Sequence, residues 1–205
     1  MKPDSARIQK RYDQIAPYFD AIEAVMEGLV FKSWRQKLWE KVEGYHILEV
    51  GVGTGKNFDY YPEDARITAI DFSKKMLQQA AHKRSRKNIT VDLELMDIQS
   101  LCFASNSFDT VIGSFVFCSV PSPLKGLKEL YRVCKPGGQL LLLEQVLSSR
   151  LALAAAMQLI NPLVVAMAGT HINRTTVKHI QACAFDGVRI DERSGDMIKL
   201  IEARK

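Results

Sequence analysis

Residues 46–56 read HILEVGVGTGK: an apolar run of strand type breaks into three glycines, Gly51, Gly53 and Gly55, at alternate positions. A chain gives up three side chains in so short a space where its backbone must turn with positive φ or let a ligand come close. A strand followed by a glycine turn opens many α/β sheets, whose ligands sit beyond the carboxyl ends of the strands. Other apolar runs extend the pattern: RITAID from Arg66, VDLELMD from Val91, FDTVIGSFVF from Phe108 to about Ser119, and GGQLLLLEQV ending near Val146. Their apolar residues fall on both parities, as in strands buried on both faces. SKKMLQQAAHKRSRK, capped by Ser73, and PLKGLKELYRVCKPGG, stopped by Pro136-Gly137-Gly138, read as the helices between them. Strand and helix alternating in this way predict an α/β fold with a doubly wound, mostly parallel sheet.

The tail has a different character. RTTVKHIQACAF reads as a helix capped by Thr175 or Thr176, and VRIDE and MIKLIEARK flank Arg193-Ser194-Gly195-Asp196 as an antiparallel hairpin. A chain of 205 residues is large enough to bury one core, so a single domain is expected. It divides into a helical cap over 1–45, a ligand-binding core over 46–146, an apolar insert over 147–174, and a closing helix and hairpin over 175–205.

The glycine spacing narrows the ligand. A dinucleotide turn wants GxGxxG, but here the third glycine comes one place early and Lys56 stands in the expected position. GxxxxGK[ST] is absent as well, so the turn holds a ligand without a diphosphate. Asp71, closing the second strand, suits the two hydroxyls of a ribose. Asp97 and Ile98, after the third, suit an adenine amino group and ring face. A nucleoside without a phosphate chain points to S-adenosylmethionine. Glu49 reads equally as a cofactor contact or as a brace for the turn, and Phe72 equally as adenine contact or core.

EVGVGTG (Glu49 to Gly55), AIDFSKKML (Ala69 to Leu77), MDIQSLCFASNSFDTV (Met96 to Val111) and LYRVCKPGG (Leu130 to Gly138) together resemble the class I S-adenosylmethionine-dependent methyltransferases over nearly the whole chain. The resemblance implies a Rossmann-like seven-stranded sheet with an antiparallel strand near one edge. It implies Gly51, Gly53 and Gly55 along the methionine part of the cofactor, Asp71 on the ribose, and Phe72, Asp97 and Ile98 about the base. Ser114 is implied near the cofactor and the substrate mouth. S-adenosylhomocysteine would be the product.

RYDQIAPYFD, Arg11 to Asp20, resembles the N-terminal segment of bacterial phospholipid N-methyltransferases and quinone C-methyltransferases. Those families usually carry tyrosine where this chain has Phe19, so the hydroxyl is missing there. Tyr12 and Tyr18 are the candidates for lining the cofactor or a cationic amine, Tyr18 at the catalytic end. GVGTGKNFDYYP and FVFCSVP also resemble the membrane-associated thiol methyltransferases of animals.

The apolar stretch Leu151 to Gly169 approaches a membrane span in length but is interrupted by Gln158, Asn161 and Pro162. It reads as two short helical pieces, lying in core, in a dimer contact or at a lipid surface. Beyond it, His171 is a candidate base, and Asn173 and Arg174 candidate head-group contacts.

A net charge of +5 without a clustered stripe leaves no nucleic-acid footprint, since HKRSRK (His82 to Lys87) reads as a solvated helix end. Four cysteines without CxxC spacing argue against a metal site and for reduced thiols, and residues 1–20 lack the apolar core of a signal peptide. A cytoplasmic enzyme, in contact with a membrane surface, is the expectation. Its acceptor ranks as a phosphatidylethanolamine-type amine first, then a thiol, then a quinone carbon. A regulatory module that binds the cofactor without turnover is the non-enzyme alternative.

Overall fold

A computed structural model of the chain describes residues 3–168, 170–191 and 196–205. Seven strands form one sheet: β1 (His46–Val50), β2 (Arg66–Asp71), β3 (Asp92–Leu95), β4 (Phe108–Ser114), β5 (Cys134–Gln145), β6 (Asp186–Asp191) and β7 (Ile198–Arg204), in the order β3-β2-β1-β4-β5-β7-β6. β1 pairs in parallel with β2 and β4, so strand order reverses beside the glycine turn. β7 runs antiparallel to both β5 and β6, forming the expected hairpin and leaving β7 alone against the common direction. Of the expected hairpin turn, Arg193 to Gly195 lie outside the described residues.

Both faces of the sheet are covered, and the apolar parities divide between them. Leu48, Val50, Leu140 and Leu142 pack beneath α5 (Pro123–Val133) and α7 (Thr176–Gln181). Ile47, Ile67, Leu141 and Leu143 face Trp34, Leu38 and Trp39 of α3 (Lys32–Trp39) and Ala80 of α4 (Lys74–Lys87). Helix α4 starts as expected, Ser73 Oγ accepting from the Met76 N–H at 3.2 Å. It ends with Asn88 in the left-handed conformation. The 3–39 region is helical: α1 (Pro3–Ile15), α2 (Phe19–Met26), a π turn over Glu27–Phe31, then α3.

Three local expectations are corrected. β4 stops at Ser114 rather than near Ser119, because Phe115 turns the chain with φ +57°. Helix α5 ends at Val133, and Pro136-Gly137-Gly138 lies within the start of β5, where the pairing with β4 shifts register. The apolar insert forms one helix, α6 (Leu151–Ala168), not two pieces. Pro162 deprives only the Gln158 carbonyl of its partner, and Gln158 is exposed, so water can replace that bond. Among the described residues no helix is long and apolar enough to cross a membrane.

Candidate active site

A cleft of about 330 Å³ opens over the carboxyl ends of β1, β2, β3 and β4, roofed by α1 and α2. Gly51, Gly53, Asp71, Phe72, Asp97, Ile98, Ser114 and Tyr12 all line it. Strand order lays them out in sequence: Asp97 beyond β3, Asp71 at the end of β2, the glycines after β1, and Ser114 at the end of β4.

The three glycines have φ of +67°, +56° and +77°, but only one borders open space. A Cβ on Gly53 would meet nothing within 4 Å, whereas one on Gly51 would strike Val116 at 2.6 Å and one on Gly55 the Phe58 ring at 2.5 Å. Gly55 therefore serves the packing of the turn and does not line the cleft. Asp71 braces the same turn: its Oδ2 accepts from the Gly53 N–H at 2.9 Å and its Oδ1 from the Ser73 N–H at 2.8 Å. Burial pushes the Asp71 carboxyl up to about 6, against those backbone donors that favour its charge. Asp97 Oδ1 caps the next turn, accepting from the Gln99 N–H at 2.9 Å.

Glu49 lies beneath the turn, fully buried and off the cleft wall, so bracing is its observed role. It accepts from Asn57 Nδ2 at 2.5 Å and from the Tyr61 hydroxyl. Burial raises its carboxyl to about 7.

The other sequence-derived candidates stand away from the cleft. Tyr18, at the start of α2, is 67% exposed and points to solvent. His171 donates its backbone N–H to the Cys118 carbonyl at 2.8 Å, and its Nδ1 lies 3.4 Å from Asn161 Nδ2 of α6. Burial and neighbouring Arg174 lower its pKa. Arg174 turns inward and donates to the Val120 carbonyl at 2.7 Å, which braces the loop after β4. Asn173 is likewise off the cleft wall. Of the connection from α6 to α7, Thr170 reaches the cleft wall but these three do not.

Residues to which sequence reasoning gave no site role take their place. Arg35 lies on the buried face of α3 with Leu38 and Trp39, yet borders the cleft. Its signal was available: a charge spaced i, i+3, i+4 with two core residues on an amphipathic helix. Lys56 Nζ reaches the cap carboxylates of Glu23 at 2.9 Å, Glu27 at 3.7 Å and Asp20 at 3.8 Å. Thr54 Oγ1 donates to Asp20 at 2.6 Å, so the glycine loop and α2 are joined by polar contacts. Past Phe115, the wall carries Cys118 and Ser119, and Ser119 Oγ lies 2.5 Å from the Tyr12 hydroxyl. These pairings join positions up to 107 apart in the chain, which no local pattern could have exposed.

A parallel sheet whose first turn is a glycine loop, with a carboxylate at the end of the neighbouring strand, defines a Rossmann-like nucleoside-binding fold. Residues 48–142 match the family model described as a methyltransferase domain. The ubiquinone/menaquinone biosynthesis C-methyltransferase UbiE of Geotalea daltonii is 32% identical over 147 residues, 67% of this chain and 63% of that protein. The phosphatidylethanolamine N-methyltransferase of Cereibacter sphaeroides is 36% identical over 132 residues, 62% of this chain and 65% of that protein. The chain thus spans less than two thirds of the length of either relative. In fold it is similar to the crystal structure of a SAM-dependent methyltransferase, a possible histamine N-methyltransferase, from Thermotoga maritima. The TM-score is 0.71 at 18% identity, covering 96% of this chain and 99% of that one.

The chain belongs to the class I S-adenosylmethionine-dependent methyltransferases, and S-adenosylmethionine is the cofactor of that family. The cleft fits it. The missing Gly53 side chain leaves backbone bare to a ligand, and the Asp71 carboxylate, with about four acceptor sites, keeps capacity beyond its backbone donors Gly53, Ser73 and Phe72. The Asp97 end is walled by Met96 and Ile98, apolar neighbours for a base.

Proposed function

We propose that this chain transfers the methyl group of S-adenosylmethionine to a lipid or lipid-like acceptor, a phosphatidylethanolamine-type amine being favoured. The carrying observation is the acceptor side of the cleft, which is apolar and opens onto exposed apolar surface. Ile15, Phe19, Ile22 and Phe31 line it from the cap, and Ile22 is nonetheless 65% exposed at the mouth. Thr170, another lining residue, follows α6 closely, and Arg11 of α1 donates to the Val165 carbonyl of that helix at 2.5 Å. Helix α6 carries no charged side chain, and its Leu151 and Leu159 are 89% and 82% exposed. Such a face favours an interfacial position, and the net charge of +5 favours an anionic one. Peripheral membrane contact is part of the reading.

Bound S-adenosylmethionine supplies an electrophilic methyl group on a sulfonium. In this reading Asp71 holds the ribose, Asp97 and Ile98 the base, and Gly51 and Gly53 give backbone approach. The cap encloses the acceptor, so much of the rate comes from holding its nucleophile in line and excluding water. Titratable groups on the acceptor side include Glu23 of the cap, Tyr12 and Cys118. Burial pushes the Cys118 thiol up to about 12 and raises the Tyr12 phenol further, so both stay protonated at neutral pH. Neither serves as a base in that state, so an acceptor amine, an ammonium at neutral pH, must first release its proton to water before its lone pair attacks the methyl group.

The test is transfer of labelled methyl with vesicles of phosphatidylethanolamine and an anionic lipid, beside a small alkyl thiol and a reduced quinone in separate reactions. Label in phosphatidylethanolamine is expected. Label confined to the thiol or the quinone overturns the lipid amine, and no S-adenosylhomocysteine with any acceptor overturns turnover itself.

A further inference from the structure

A buried arginine that borders the cleft has donors left over. Arg35 is only 5% exposed, and most of its guanidinium is committed. Its Nε donates to the Glu27 carboxylate at 2.9 and 3.2 Å, and its Nη1 to Asn57 Oδ1 at 3.1 Å and Ser114 Oγ at 2.7 Å. Its ring neighbour is Phe115, 5.4 Å below. Among the described residues Nη2 has no hydrogen-bond partner, although a buried guanidinium ordinarily satisfies its donors.

Ser114 has the matching surplus. Its Oγ accepts from Arg35 Nη1 and from Asn57 Nδ2, the latter at 3.0 Å. The Asn57 amide is oriented by its neighbours, taking the arginine on oxygen and giving its nitrogen to Glu49. Both lone pairs of the serine are therefore occupied, and its hydroxyl hydrogen remains to be donated. Ser114 and Arg35 both line the cleft, so two adjacent donors, one of them charged, border it together.

We infer that Arg35 and Ser114 form a cradle for the α-carboxylate of the amino-acid part of S-adenosylmethionine. The inference rests on the cofactor reading above and adds a residue to it. With the base over β3 and the ribose over β2, the remaining methionine part extends toward β1 and β4, where this pair sits. A carboxylate is planar and takes parallel donors, which a guanidinium edge and a hydroxyl supply. Lys56 is the other cation on the wall, but its ammonium is already held by Asp20, Glu23 and Glu27. Arg35 also links the carboxylate to the cap, because Glu27 belongs to the turn between α2 and α3.

Calorimetric titration of the intact chain with four ligands tests this: S-adenosylmethionine, S-adenosylhomocysteine, decarboxylated S-adenosylmethionine and 5′-methylthioadenosine. The last two lack the carboxylate. Arg35→Gln is expected to weaken the first two by about 10- to 100-fold, the range of a charge-assisted bond, and to leave the last two within about twofold. Equal weakening of all four, or of none, overturns the cradle and leaves Arg35 a packing residue. Should Arg35→Gln fail to fold, Ser114→Ala decides by the same criterion, with a smaller expected loss of about 3- to 10-fold confined to the carboxylate ligands. A wild-type chain that binds none of the four refutes the cofactor reading itself, a result distinct from either outcome in the variants.

Discussion

Gly53 and Gly55 share a motif, a positive φ and a distance of two residues, yet they answer to different demands. A methyl on Gly55 would lie 2.5–2.8 Å from three atoms of the Phe58 ring, itself buried in the core beneath the turn. A methyl on Gly53 would touch no protein atom within 4 Å. Gly55→Ala should therefore destabilise the chain by about 2–4 kcal/mol, combining left-handed strain with overpacking, and lower its thermal midpoint accordingly. Gly53→Ala should lose only about 1 kcal/mol of stability, from the strain, but lose cofactor affinity because its methyl occupies the cleft. Melting curves and calorimetric titration of the two variants check the contrast; equal effects on stability and binding would show that the motif acts as one unit. The glycines themselves were legible from sequence because φ and close approach leave a one-letter trace. Their division of labour was not, since it depends on Phe58 and Val116, which the fold brings in from beyond the motif.

The strands and helices were legible for a related reason. Runs such as QLLLLEQ bury both parities, and one face meets α5 while the other meets α3. What eluded the pattern was how the cap meets the sheet. Helix α1 is held by polar groups: Gln9 Nε2 donates to the Phe72 carbonyl at 2.6 Å and Asp13 accepts from Ser73 Oγ at 2.6 Å. Helix α2 is tied through Lys56 and Thr54 of the glycine loop. Polar contacts between distant segments carry no periodicity, so the sequence showed neither that Tyr18 lies off the cleft wall nor that Lys56 pairs with the cap. A cap held by ion pairs is also one that can open. The Lys56 side chain is only 11% exposed, so its ion pairs rank at the upper end for surface pairs, about 1 kcal/mol together. Lys56→Ala should then speed amide hydrogen exchange over Phe19–Phe31 by roughly fivefold and leave β1 and β4 unchanged. Unaltered exchange in that segment would mean that apolar contacts alone secure the cap.

Three carboxylates are buried at the carboxyl ends of strands β1, β2 and β5, all on the edge of the sheet that carries the cleft. Glu49 and Asp71 support the glycine turn, and Glu144 Oε1 accepts from the Val116 and Phe117 N–H groups of the loop that bears Cys118 and Ser119. Burial raises all three, Asp71 to about 6 and Glu49 and Glu144 to about 7, despite hydrogen bonds and, for the two glutamates, the charges of Arg35 and Arg174 that oppose the rise. A carboxyl whose folded pKa lies above its unfolded one binds more protons when folded. Its stabilising contribution is complete below about pH 4 and is lost as pH rises through 6 to 7, on the order of 3 kcal/mol for each group. The cofactor-free chain should accordingly melt at a lower temperature at pH 8 than at pH 5. Glu144→Gln, which keeps an acceptor for the loop amides but cannot ionise, should narrow that difference by removing one of the three contributions. Thermal unfolding of both chains across pH 4.5–8 measures it, and parallel curves would exclude Glu144 as a titrating group. Placing unfavourable charge where the ligand binds is a recurring trade in enzymes, in which stability is surrendered at the site and recovered in the core. Here Leu140 to Leu143, fully buried next to Glu144 on the same strand, are that core.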